Sequence, residues 1–330
     1  MFPFKTLTLT LGLSILTGLS TQAHSETPQL GFDSRPNYLP SNAIALTFDD
    51  GVDVVNTPQI LNILRDKGVR GTFFLNANNF SGQNDPGVAD LINRIVNEGH
   101  GIGNHTNHHL SLPSLSDDSV RFEISSVEDL VRSDTNGRVS RLTLLRAPFG
   151  DGFQGGIDDR IANIVSQYAV HVGWNFDSFD YNCEASAAGA QCVYDGVFGP
   201  INQGSYGVVL MHSVHPQTVA ALGRVIDDLR GRGFQFWTVE QVVQSKYGRP
   251  SNQLVGVQVP AQANQPNPPN HPAGGGSCAG VQAWTEEGSY HIGDKVVFEN
   301  QLFTDQNEDS GPGNEPKIST WFWAAGPMCN

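Results

Sequence analysis

The sequence is short of positive charge: 19 Lys and Arg stand against 33 Asp and Glu, a formal charge of -14 over 330 residues. Such a balance argues against nucleic acid or an anionic membrane as partner, and suits a neutral or cationic one. Long hydrophobic runs are missing too. The stretch Leu7 to Leu19 is too short to span a bilayer, and no later stretch is long and apolar enough to anchor the chain. Cysteine is scarce, with 4 residues in all and none near that first apolar stretch, so lipid attachment there is not expected. What remains is ordinary for a soluble globular protein: 38% hydrophobic and 16% charged residues, in a chain long enough for two domains.

Lys5, the short apolar core and the small-residue site Thr21-Gln22-Ala23 read as a secretory signal peptide over residues 1–23. The mature chain is expected to be exported, to the extracellular space or a periplasm, where disulfides can form. The simplest pairing joins Cys183 to Cys192 and Cys278 to Cys329. After a polar N-terminal segment, 24–43, the pattern changes. From 44 to 249 short apolar runs alternate with amphipathic stretches. Residues 250–277, with six Pro, a Gly-Gly-Gly run and no charged side chain, have linker composition. Residues 278–330 then form a small module with a Cys near each end, a size that calls for a staple.

Strands are expected at 44–48, 71–76, 101–104, 142–146, 170–175, 207–212 and 234–238. Helices are expected between them: Pro58 to Lys67, then stripes on Val88–Val96, Val120–Val131, Ile157–Val165 and Val219–Leu229, with a final helix over Glu240–Lys246. Seven strands alternating with helices predict an α/β fold with a parallel sheet. Candidate functional residues follow nearly every strand. A barrel, which brings all strand ends to one face, accounts for that better than an open sheet with its single switch point.

The first strand exits into Thr47-Phe48-Asp49-Asp50-Gly51. Adjacent carboxylates raise one another's pKa unless a cation neutralises them, and a site that keeps both gives one to a metal and one to proton transfer. His105-Thr106-Asn107-His108-His109 places two histidines at i and i+4, which on a helical turn directs both imidazoles to one point. Asp50, His105 and His109 make a set of one carboxylate and two imidazoles, suited to Zn²⁺. His108 is the alternative to His109. Arg146, at another strand end, can hold Asp49 ionised and aimed, although an ordinary salt bridge explains it equally well at this level. His212 ends a buried strand as a candidate acid, with Asp177 and Asp180 available to orient it.

Thr-Phe-Asp-Asp-Gly, His-Thr-x-x-His, Arg-x-Pro-Phe-Gly, Asp-x-x-Asp-Tyr and Leu-x-His occur in this order over about residues 44–248. They resemble the five motifs of the NodB-homology polysaccharide deacetylases, carbohydrate esterase family 4. The resemblance implies a distorted (β/α) barrel of about seven parallel strands and a hydrolase that removes N-acetyl groups from chitin or chitooligosaccharides. It implies a divalent metal, Zn²⁺ or Co²⁺, on Asp50, His105 and His109, and Asp49 as general base positioned by Arg146. His212 would be the acid, with Asp180 as its partner. Thr106 would support the histidine loop, the Phe149 N–H would meet the oxyanion, and Tyr181 and Leu210 would line the acetyl pocket. The family often carries Trp where Tyr181 stands. Acetyl xylan or peptidoglycan is the alternative substrate, and a non-catalytic carbohydrate-binding protein is the alternative of another class. A monomer is expected.

The last module, expected to be a small disulfide-stapled β unit, resembles the short chitin-binding modules of secreted chitinases. Ala283-Trp284, Tyr290, Gly293-Asp294-Lys295-Val296 and Trp321 fall in their order. That resemblance makes Phe303, Trp321 and Trp323 candidates for stacking on sugar rings, with Trp284 more often in the core.

Overall fold

A computed structural model describes residues 27–77, 86–256, 278, 281–285, 290, 294–298, 301–305 and 323–328. Residues 1–23, expected to be a signal peptide, and residues 257–277 of the expected linker lie outside the described residues. The central strand, β2 (Ala43–Gly51), is buried along nearly its whole length. Side chains alternate across a strand, and the two faces of β2 enter different cores. Ile44, Leu46 and Phe48 pack into the cluster shared with the helices. Ala43 and Ala45 pack into a second cluster with Phe74, Leu144, Val172 and Val208, the barrel interior. By the same alternation Thr47 and Asp49 point inward.

The barrel elements follow in order: β1 (Gln29–Leu30), β2, α1 (Thr57–Lys67), β3 (Thr72–Leu75), α2 (Pro86–Asn97), β4 (Gly101–Asn104), α3 (Asp117–Asp134) and β5 (Leu144–Leu145). Next come α4 (Asp159–Val165), β6 (Val170–Val172), β7 (Phe176–Asp177), α5 (Ala187–Asn202), β8 (Gly207–His212), α6 (Pro216–Gly231), β9 (Gln235–Phe236) and α7 (Val239–Tyr247). All strand pairs of this sheet are parallel. Their order is β1-β6-β5-β4-β3-β2-β8-β7, with β9 also on β2. The sheet curls as a distorted (β/α) barrel, as expected, with two-residue β1 and β7 beyond the seven strands read from the sequence.

Among the described residues no strand pair joins β1 to β7, so the barrel has a seam. Asn175 bridges it: its side chain accepts from Val208 N–H at 2.6 Å and donates to Asp33 O at 2.6 Å. Phe32 packs edge-on against Trp174, 4.8 Å between centroids. A cleft of about 340 Å³ opens beside them, walled by Phe32, Trp174, Asp177 and Phe179.

Several elements differ from the sequence reading. Helix α5 was not expected. Gly189, Gly196, Gly199 and Pro200 within it break the propensity signal. Two of those glycines are required by packing, since a Cβ on Gly196 would lie 1.9 Å from Ser178 O, and one on Gly189 1.5 Å from Glu184 O. Ile157 was placed on the apolar stripe of α4. It is 51% exposed, because Asp158 caps the helix, which starts only at Asp159. Residues 250–256, read as linker, pack on the barrel: Ser251 is buried, its hydroxyl 2.7 Å from Thr143 Oγ1, and Gly256 N–H donates to Ser166 O. The uninformative 24–43 segment supplies β1 and two buried leucines, Leu30 and Leu39.

The C-terminal region is a second sheet of β10 (Gln282–Ala283), β11 (Lys295–Phe298), β12 (Gln301–Asp305) and β13 (Trp323–Met328), in that order. Its core is Tyr290, Val296 and Phe303, with Trp284 against it. Phe303 is 2% exposed, so its ring is core rather than a platform for sugar. Trp321 lies outside the described residues, and Trp323 is on β13. Cys278 is disulfide-bonded, and Cys329 lies outside the described residues. Cys183–Cys192 is formed as expected.

Candidate metal centre and active site

Strand parity aims the site. β2 and β8 pair so that Asp49 lies beside His212 and Thr47 beside Leu210. Arg146, one residue beyond β5, continues that strand's alternation into the barrel, where it is completely buried. Its guanidinium is held on every side. Nη1 donates to Asp49 Oδ1 at 2.7 Å and Thr47 Oγ1 at 2.9 Å, and Nε donates to Val172 O at 3.0 Å. Nη2 donates to Gly173 O at 3.2 Å. Its carbon also sits 4.3 Å from the centre of the Phe74 ring. A buried cation is tolerated only when it is paired and its donors are used, and Arg146 meets both conditions. Burial pushes the Asp49 carboxyl up to about 7, against the opposing pull of Arg146.

The next residue turns the other way. Asp50 has φ 66°, so its carboxylate leaves the strand and meets the histidine loop. His105 Nε2 and His109 Nε2 are 3.1 Å apart, and each lies 3.4 Å from Asp50 Oδ1. His105 Nδ1 donates to Arg146 O at 2.8 Å, which leaves the Nε2 lone pair free for the site. Burial holds both imidazoles neutral, lowering His105 to about 3 and His109 below its ordinary range. Burial alone would raise Asp50. Attraction to His109, His212 and His105, each in its protonated form at low pH, more than offsets it, and the carboxyl lies at about 2.

These three side chains fit a divalent cation. Their ligand atoms lie within 4.8 Å of one another. Asp50 Oδ1 is buried and accepts no hydrogen bond from any described residue, a costly state for an ionised oxygen unless a cation faces it. The donor set, two neutral imidazoles and a carboxylate, suits zinc-like ions.

The i, i+4 spacing works by a different route from the one expected. Residues 105–109 are not helical. The loop reverses through left-handed residues, Thr106 at φ 67° and His109 at φ 56°. His108, the alternative ligand, is turned away: Nδ1 donates to Glu123 Oε1 at 2.7 Å. Asp50, Thr106, His109, Phe149 and Phe179 all hold positive φ, with Asn136 the one such non-glycine among the described residues elsewhere. Such conformations cost roughly 1–3 kcal/mol each and persist where surrounding structure enforces them.

On the far side, His212 Nδ1 donates to Asp180 Oδ1 at 2.7 Å and its backbone N–H donates to Asp180 Oδ2 at 2.7 Å. Asp180 is itself buried and accepts from Thr218 Oγ1 at 2.5 Å. Gln217 ties down the backbone of the Asp180 turn through Asp180 O and Cys183 O, each at 2.8 Å. Burial opposes charge on His212. Asp180 overcomes it and holds the imidazole up to about 10, with Nε2 4.0 Å from Asp50 Oδ2. Tyr181 stands edge-on to His212 at 5.5 Å and donates to Asp177 at 3.3 Å, while the Phe149 ring lies 4.7 Å from His109. Leu210 is buried beneath them. Thr106 holds the loop through its N–H to Asn104 Oδ1 at 2.8 Å, and its hydroxyl finds no partner among the described residues.

The sequence reading missed Glu123, Gln217 and Thr218. Glu123 carried a signal, since it is an acid on the apolar stripe of α3, between Val120 and Val127. Gln217 and Thr218 carried none.

With the geometry in place, the likeness to known proteins is specific. The polysaccharide deacetylase family profile matches residues 37–173. A peptidoglycan-N-acetylglucosamine deacetylase of Bacillus cereus is 32% identical over 210 residues, 62% of this chain and 70% of that protein. The chain belongs to the polysaccharide deacetylase family. A chitin deacetylase of Arthroderma benhamiae is 31% identical over 216 residues, which cover 64% of this chain and 55% of that protein, about half its length. Among solved structures, the chitin deacetylase of Colletotrichum lindemuthianum matches with a TM-score of 0.53 at 27% identity, over 65% of this chain and 91% of that one. The fold that brings these carboxylates, histidines and the buried arginine together is that of the polysaccharide deacetylases of carbohydrate esterase family 4. No helix among the described residues is long and apolar enough to cross a membrane.

Proposed function

We propose that this chain is an exported, metal-dependent deacetylase that hydrolyses the N-acetyl groups of chitin or chitooligosaccharides and releases acetate. The observation that carries the reading is the cation-ready trio Asp50, His105 and His109, with Asp49 on one side and His212 on the other. With Zn²⁺ or Co²⁺ bound by those three, a water is made more acidic and an acetyl carbonyl is polarised.

The residues divide the proton work. Asp49 Oδ1 is committed to Arg146, so Oδ2, 3.6 Å from His105 Nε2, is the oxygen that takes the proton of the attacking water. A carboxyl held near 7 by burial is well matched to that task near neutral pH. Arg146 keeps it aimed. His212, held protonated by Asp180, gives its Nε2 proton to the nitrogen of the leaving amine as the C–N bond breaks. The Phe149 N–H meets the oxyanion, and Tyr181 and Leu210 line the pocket for the acetyl methyl.

A second reading is peptidoglycan as substrate, favoured by the Bacillus cereus relative's activity. Mass spectrometry of products from chitooligosaccharide, peptidoglycan fragments and acetylated xylan, run side by side, tests both. Loss of 42 Da per acetyl from the chitooligosaccharide supports the first reading, and loss from peptidoglycan alone replaces it with the second. No acetate from any of the three defeats the enzyme reading. The C-terminal unit, residues 278–330, is proposed to bind chitin through Trp321 and Trp323. Phe303 is left out because it is buried. Equal retention on insoluble chitin with and without that unit would remove this role.

A further inference from the structure

One buried acid beside the site has no part in the proton transfers above. Glu123, on α3, is 3% exposed. A carboxylate in such a place needs strong partners to remain, and both oxygens find them in a single residue. Oε2 accepts the His108 backbone N–H at 2.7 Å and Oε1 accepts the His108 ring Nδ1–H at 2.7 Å. His108 is the residue immediately before His109.

A second tether runs from the same helix to the other end of the loop. Asn104 donates through Nδ2 to Ile124 O at 2.7 Å and accepts through Oδ1 from Thr106 N–H at 2.8 Å. Between these two anchors lies Asn107. The loop has no helical hydrogen bonds of its own, and Thr106 and His109 sit in left-handed conformations that cost energy. Something outside the loop must hold it against relaxation. On its β4 side Asn104 does so together with Leu75 O and Asn76 Nδ2, which bond the His105 backbone at 2.8 and 3.3 Å, and on its His109 side it is Glu123.

We propose that Glu123 is a positioning residue for the metal centre. By gripping both the main chain and the ring of His108, it holds the turn that brings His109 Nε2 to 3.1 Å from His105 Nε2 and 3.4 Å from Asp50 Oδ1. The paired bonds also explain why His108 does not compete as a ligand. This inference rests on reading Asp50, His105 and His109 as a cation site. A purely structural Glu123 would instead fasten α3 to the barrel without affecting the cation.

The test uses the full chain, stripped with chelator and titrated with Co²⁺, reading the visible absorption of the bound ion alongside the melting temperature of the metal-free protein. Wild-type protein that takes up no Co²⁺ refutes the cation site itself, whatever Glu123 does. Given wild-type binding, Glu123→Ala is expected to weaken Co²⁺ affinity about 10–100-fold, the usual effect of removing a group that orients a ligand. His108→Ala is expected to weaken it less, because the main-chain N–H of residue 108 still donates to Glu123 Oε2. The double variant should be no weaker than Glu123→Ala alone, because that variant already removes both bonds to residue 108. Co²⁺ affinity within twofold of wild type in Glu123→Ala overturns the proposal, and losses that add in the double variant overturn the route through His108. Should Glu123→Ala fail to fold, Glu123→Gln, whose single amide oxygen can accept only one of the two bonds, decides in its place, and unchanged affinity there overturns the proposal.

Discussion

Arg146 Nη1 donates to Asp49 Oδ1 at 2.7 Å, and this contact leaves Oδ2 as the only oxygen of that carboxylate facing the histidines. Two adjacent carboxylates therefore have different partners. Asp49 is bound from below by the guanidinium. Asp50 is swung out by its left-handed backbone to meet His105 and His109.

From that division, Asp49→Asn is expected to keep the shape and the hydrogen bond to Arg146 while losing the base. Turnover should fall at least about hundredfold, the usual worth of a positioned general base. Co²⁺ binding, followed by absorption, should be retained. Near-wild-type turnover would show that Asp49 is not the base.

Removal of metal by a chelator should abolish activity, and added Zn²⁺ or Co²⁺ should restore it. His109→Ala should resist restoration at stoichiometric metal, since one of three ligand atoms is gone. Full activity in a chelated sample verified free of metal by elemental analysis would refute the dependence.

Asp180→Asn bears on the pH profile. His212 acts while protonated, so activity falls as pH rises through its pKa. Burial lowers that pKa and the Asp180 charge raises it, to a net value of about 10. Without the charge the pKa drops, and the alkaline limb of kcat/KM should move to lower pH. The acidic limb, set by Asp49, should stay in place. An unmoved alkaline limb would dissociate His212 from that limb.

The Asp180 turn is also held from behind. Gly196 of α5 lies against Ser178 O with no room for a Cβ, and Cys183–Cys192 ties the end of the turn to the same helix. Gly196→Ala is expected to destabilise by about 1–3 kcal/mol through overpacking. The Cys183→Ser, Cys192→Ser pair should lose about 2–3 kcal/mol from restored unfolded-chain entropy. Denaturant titration measures both, and a wild-type midpoint in Gly196→Ala would mean that α5 can shift freely.

Much of the barrel was legible beforehand because parallel strands buried on both faces leave continuous apolar runs. Ile44-Ala45-Leu46 and Val208-Val209-Leu210 are of that kind, and the amphipathic stripes of α2 and α6 carry the helical period. Helix α5 escaped notice because the contacts that demand its glycines come from residues 178 and 184, across a turn, and leave no periodic trace. The reach of the fold past residue 249 was hidden likewise. Its Pro-rich composition matched a linker, yet the Ser251 hydroxyl meets that of Thr143, far earlier in the chain.

The chain's own order of residues determined which chemistry was available: an Asp-Asp pair, histidines four apart, an arginine and a histidine at later strand ends. Tertiary structure decided how they are used, because convergence depends on contacts between distant segments. Parity along β2, β5 and β8 turned Asp49, Arg146 and His212 inward. A left-handed loop, rather than a helix, aimed His105 and His109, and Glu123 drew His108 away from the centre. Local spacing could not reveal these choices, since each depends on a partner at least 15 residues away in the chain.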